Sequence, residues 1–68
     1  MVLEDFLKVI GGEMVRVERG GVNLYLYEAD KNAIRQYRPD LLDREIYMIE
    51  PFSKNKFVVK LHIKKDEV

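Results

Sequence analysis

Sixty-eight residues make one domain at most, because a chain this short buries only about 60% of its unfolded surface. Twelve Lys and Arg balance twelve Asp and Glu, so the strongly basic footprint of a duplex-DNA binder is missing. The absence of Cys excludes disulfides, thiolate zinc sites and a cysteine nucleophile, and no apolar run approaches the roughly 18 residues of a membrane span.

Leu3, Phe6, Leu7 and Ile10 fall on one face of an amphipathic helix, with Glu4, Asp5 and Lys8 turned away. Glu4 and Asp5 suit the first turn, where negative charge complements the helix dipole, and Gly11-Gly12 ends it. The period then changes to two. Val15 and Val17 alternate with Met14, Arg16 and Glu18, and Val22, Leu24 and Leu26 alternate with Asn23, Tyr25 and Tyr27. With Gly20-Gly21 as a tight turn, the two runs form a hairpin that sets Val17 opposite Leu24 and Val15 opposite Leu26. The same register sets Arg16 opposite Tyr25 and Met14 opposite Tyr27.

Asp30 is placed to cap a helix over residues 31–37, with Ala33, Ile34 and Tyr37 inward, and Pro39 opens one further turn through Asp43. A second hairpin is expected from residues 46–50 and 56–64, around the polar stretch Ser53-Lys54-Asn55-Lys56. Phe57, Val59, Leu61 and Ile63 alternate there with Val58, Lys60, His62 and Lys64. Pairing Phe52 with Phe57 puts Ile46 and Met48 on the face of Leu61 and Ile63. Residues 65–68 lack periodicity and are expected to fray.

The order α-β-β-α-β-β predicts a single α+β domain over residues 1–64, a four-stranded antiparallel sheet of two hairpins with two helices covering one face. The expected core is Leu3, Phe6, Leu7, Ile10, Val15, Val17, Leu24, Leu26, Ile34, Leu41, Ile46, Met48, Phe57, Val59, Leu61 and Ile63. The strand over residues 57–63 is long and almost free of edge-blunting features, so at a sheet edge it favours a symmetric homodimer through paired strands or packed tyrosine faces.

An N-terminal amphipathic helix, a hairpin containing Leu24-Tyr25-Leu26-Tyr27-Glu28, and Leu41-Leu42-Asp43-Arg44-Glu45-Ile46 leading into a final hairpin resemble small accessory proteins of Firmicutes prophages and mobile elements. The resemblance implies a protein that binds something, a host protein or defence enzyme among the candidates. It transfers no catalytic or ligand-binding residue. The start of the chain lacks the basic, apolar and small-residue segments of a signal peptide, so a cytoplasmic setting is expected.

Chemistry is thinly provided. Ser53 and His62 are the only Ser and His, and the proposed pairing separates them; a zinc site would need His62 and carboxylates alone. Asp40, Asp43 and Glu45 cluster near a turn, where capping and ion pairs with Arg38 and Arg44 account for them. No enzyme activity, cofactor or metal is therefore expected. Strand parity instead turns Met14, Arg16, Tyr25, Tyr27, Tyr47, Ile49, Val58, Lys60 and His62 outward, an aromatic and basic face with few carboxylates. From it Arg16, Tyr25, Tyr27, Tyr47 and Lys60 are the candidate binding residues, since Tyr and Arg dominate energetic positions at interfaces. The alternative ligand is single-stranded nucleic acid stacked on the aromatics, which the zero net charge disfavours.

Overall fold

Apolar side chains three and four apart start the chain as a helix, which ends at a Lys8 C-cap, three residues before the glycine pair expected to stop it. In the computed structural model, which describes residues 1–21 and 24–63, α1 spans Leu3–Leu7 and buries Leu3, Phe6 and Leu7. The Asp5 carboxylate accepts from the Val2 N–H at 3.2 Å. α2 spans Lys31–Tyr37, and Asp30 Oδ1 accepts from the Ala33 N–H at 2.9 Å, an N-cap worth about 1 kcal/mol. Pro39–Leu41 forms a 3₁₀ turn that drives Leu41 into the core. Glu4 takes the Arg35 Nε with both oxygens at 3.2 Å, tying α1 to α2.

Four strands follow from the alternating segments: β1 Met14–Arg19, β2 Leu24–Ala29, β3 Ile46–Ser53 and β4 Lys56–Leu61. They make one sheet in the order β2-β1-β4-β3. Both hairpins are antiparallel, but β1 and β4 run parallel at the centre. The sheet is therefore mixed, which corrects the all-antiparallel expectation. It also moves β4 from a possible edge to the interior, so a dimer cannot form through the edge of that strand.

The helix-covered face carries Val15, Val17, Val59 and Leu61, all fully buried with Leu3, Leu7 and Ile34. Phe57 packs partly buried against them, its ring edge-on to Phe6 at 5.4 Å and 88°. Ile10, Leu26 and Ile46 are partly buried against the same cluster.

Three expected core residues, Leu24, Met48 and Ile63, are exposed, and irregular strands explain the first two. In the first hairpin Val15 faces Ala29, Arg16 faces Glu28, Val17 faces Tyr27 and Glu18 faces Tyr25, with a register shift that leaves Leu26 as an extra residue. The tight-turn register is thus replaced, and Leu24 lies opposite Arg19 at the end of the pairing. In the second hairpin Ile46 faces Leu61 and Met48 faces Lys60, so the bulge at Tyr47 reverses parity: Met48 turns outward and Ile49 inward, opposite Val59. Bulges do this because the extra residue takes no partner. A second shift leaves Phe52 unpaired and sets Pro51 opposite Phe57. The expected strand start at Val22-Asn23 and the expected fraying of residues 65–68 lie outside the described residues.

Residues 1–3 and His62 are tied to the start of β3 and the residues just before it. Leu3 N–H donates to the Arg44 carbonyl at 3.0 Å and Ile46 N–H to the Met1 carbonyl at 2.8 Å, flanking an antiparallel bridge between Val2 and Glu45. The Met1 ammonium reaches Glu45 at 3.1 Å. Arg44, buried, donates through Nη2 to the His62 carbonyl at 2.7 Å, while His62 N–H donates to the Glu45 carbonyl at 2.9 Å.

Candidate interaction surface

The face of the sheet away from the helices is built by the residues between the core positions. Glu28, Arg16, Val58 and Glu50 form one row across the four strands, and Tyr25, Glu18, Lys60 and Met48 form the next. Arg16 Nε donates to Glu18 at 2.7 Å and Arg16 Nη1 reaches Glu28 at 3.4 Å. Lys56 meets Glu28 at 3.1 Å and Lys60 meets Glu50 at 3.6 Å. Arg16, Lys56 and Lys60 are therefore neutralised in place by Glu18, Glu28 and Glu50. Exposed pairs of this kind contribute little stability one by one, but their stems cover the sheet: Val58 is only 7% and Glu18 8% exposed.

The titration of these groups follows from the pairing. The hydrogen bond from Lys56, with added support from Arg16, holds the Glu28 carboxyl below its ordinary range. The Glu18 and Glu28 carboxylates raise Arg16 above its own. Both shifts favour the charged forms of Glu28 and Arg16.

Of the five candidate residues, Arg16, Tyr25 and Lys60 share this face. The Arg16 guanidinium lies over the Tyr25 ring at 4.8 Å, and Tyr25 stays 50% exposed. Tyr27 does not join them. Its backbone faces Val17 and its side chain packs against the core, with the Arg38 guanidinium 6.0 Å from the ring. The Leu26 bulge separates the two tyrosines, because it breaks the alternation that would have kept them together. Tyr47 sits apart as well, at its own bulge, edge-on to the His62 ring at 5.2 Å and 83°. There it borders a hollow of about 270 Å³ lined by Gly20, Gly21, His62 and Ile63. Gly20 fits closely at this corner: its N–H donates to the Leu61 carbonyl at 2.7 Å, and a Cβ would stand 3.0 Å from that oxygen and from the Tyr47 ring.

The expected basic face is thus corrected to a balanced one. Glu18, Glu28, Glu50 and Lys56 are the residues the alternation argument passed over. For Glu18 the signal was present, since it has the outward parity of Arg16; Glu28 joins only through the shifted register.

Other chemistry stays dispersed. Ser53 pairs with Lys56 at one end of β4 and His62 follows Leu61 at the other, about 20 Å apart at strand rise. Asp40 holds Arg38 through two bonds of 3.0 Å, and Glu45 holds the N-terminus. Among the described residues no three His, Asp or Glu are grouped for a metal ion. No helix there is long and apolar enough to cross a membrane.

No family model, curated protein or solved structure matches this chain.

Proposed function

We propose that this protein is a non-enzymatic interaction module that binds another protein through the outer face of its sheet, with Tyr25 as anchor and Arg16 and Lys60 beside it. The carrying observation is the combination of a half-exposed tyrosine held under Arg16 with cations that are already paired. A partly immobilised aromatic loses little entropy on binding, which suits an interface anchor. Phosphate backbones are bound through cations available to replace counterions, and Arg16, Lys56 and Lys60 each have a carboxylate within 3.6 Å. The geometry therefore favours a protein over single-stranded nucleic acid. The resemblance to mobile-element accessory proteins makes a host protein the partner to seek, defence systems included.

The test is capture from host lysate by the purified protein, with and without nuclease, using wild type and Tyr25→Ser. The proposal expects a protein partner that withstands nuclease and is lost with Tyr25→Ser while the fold persists. Capture that disappears with nuclease, or that is indifferent to Tyr25, contradicts it.

A further inference from the structure

The two sheet edges are unequal. On β2 the Leu26 carbonyl accepts from Arg38 Nη1 at 3.1 Å, so a side chain already occupies that edge. On β3, among the described residues, only the beginning is occupied, by Met1 and Val2.

Backbone parity shows what remains. Met14 N–H donates to the Asn55 carbonyl and Gly20 N–H to the Leu61 carbonyl, so the odd-numbered residues of β4 point their backbone groups toward β1. The even-numbered ones point toward β3, as the His62 N–H does in reaching Glu45. Glu50, opposite Val58, then bonds to β4, whereas Ile49 and Pro51, opposite Val59 and Phe57, turn their backbone groups to the free edge. The edge offers the Ile49 N–H and C=O and the Pro51 C=O in sequence. Proline sits where its missing N–H costs β4 nothing.

Resting on the protein-binding reading above, we infer that the β3 edge from Met48 to Pro51 receives an extended peptide strand of the partner. That strand runs antiparallel to β3, in line with Met1 and Val2. Strand addition supplies affinity through main-chain bonds and specificity through alternate side chains. Opposite Ile49 and Pro51 the added strand faces the apolar side of the sheet, next to the core-packed Ile49 and Phe57. Opposite Glu50, which is exposed beside Lys60, it carries a polar or basic residue. A second copy of the chain fits poorly. Pairing two β3 strands about Glu50 sets two carboxylates opposite each other. Pairing them about Ile49 drives Phe52 and Ser53 of one chain into Met1 and Val2 of the other.

The probe is the acetylated, amidated peptide Thr-Val-Lys-Val-Thr, titrated into the full-length protein and followed by amide resonances and hydrogen exchange. The comparison is a synthetic chain in which an ester replaces the Met48–Ile49 amide, removing the Ile49 N–H while its unchanged remaining spectrum verifies the fold. The slot predicts shifts confined to residues 47–52, slower exchange at Ile49, and at least tenfold weaker binding by the ester chain. Peptide shifts centred on Tyr25, equal binding by the ester chain, no shift at all, or concentration-dependent shifts at β3 without peptide would each overturn it. If the slot fails while capture from lysate still depends on Tyr25, the protein-binding reading stands and the strand-addition site alone is withdrawn.

Discussion

Val58 and Val59 are neighbours on the central strand and both are buried, at 7% and 0% exposure, yet different materials cover them. Val59 lies beneath the helices among aliphatic side chains, packed as a protein interior is. Val58 lies on the other face between Arg16 and Glu50, roofed by the stems of paired charges. The difference teaches that one face of this sheet holds the fold together through packed aliphatic side chains while the other is covered, among the described residues, by the stems of paired charges. Binding at the second face, as proposed, would leave the packed core of the first in place.

Substitutions can break that comparison, beginning on the helix face. Leu61→Ala should cost about 2–5 kcal/mol, a large share of what so small a domain holds, as read by chemical denaturation. A melt unchanged by it would remove β4 from the core. Gly20→Ala comes next, at about 1–3 kcal/mol, because its Cβ meets the Leu61 carbonyl and the Tyr47 ring at 3.0 Å. Combining it with Tyr47→Ala should recover part of the loss, since one of the two obstructions is then gone. The valine pair sharpens the contrast: Val59→Ala should destabilise by about 2–3 kcal/mol and Val58→Ala by about 1 kcal/mol, because flexible stems can settle into the space that a packed core leaves empty. Equal costs measured in the same denaturation series would show that the outer face is as rigidly packed as the inner one.

Acid supplies the smallest effect. The folded-state titration of Glu28 is depressed, so its pairing contributes stability above the ordinary carboxylate range and loses it as pH falls through the depressed value. Below the ordinary carboxylate pKa of about 4, wild type should lose stability more steeply than Glu28→Gln, which has no such proton to take up. Parallel curves from pH 6 to 2 would show that the Lys56–Glu28–Arg16 contacts have no energetic weight.

Local signals carried much of the fold. The spacing of Leu3, Phe6 and Leu7, the Asp30 cap and the first-turn Pro39 all act within a few residues, and the helices and turn start where those signals put them, though α1 stops at Leu7 before Ile10 and the turn at Leu41 before Asp43. Register was hidden because it depends on three extra residues, Leu26, Tyr47 and Phe52, and nothing in an alternating pattern marks which residue will bulge. Each one misplaced what followed it, which is why Tyr27 and Met48 exchanged faces relative to expectation. The central position of β4 had a readable sign: Phe57-Val58-Val59 is a continuous apolar run, the mark of a strand covered on both sides. Of the candidate site, Arg16, Tyr25, Lys60 and Glu18 followed from parity alone, whereas the Glu28 and Glu50 carboxylates required the true pairing.

The most direct test of the proposed charge-balanced binding face is calorimetry of the captured partner with wild type and Tyr25→Ser, at low and at raised salt. An aromatic anchor predicts a loss of about 2 kcal/mol or more of binding free energy for the variant, an unfolding free energy within about 1 kcal/mol of wild type, and affinity that varies little with salt. Affinity that collapses with rising salt, or a Tyr25→Ser chain that binds as well as wild type, would contradict it.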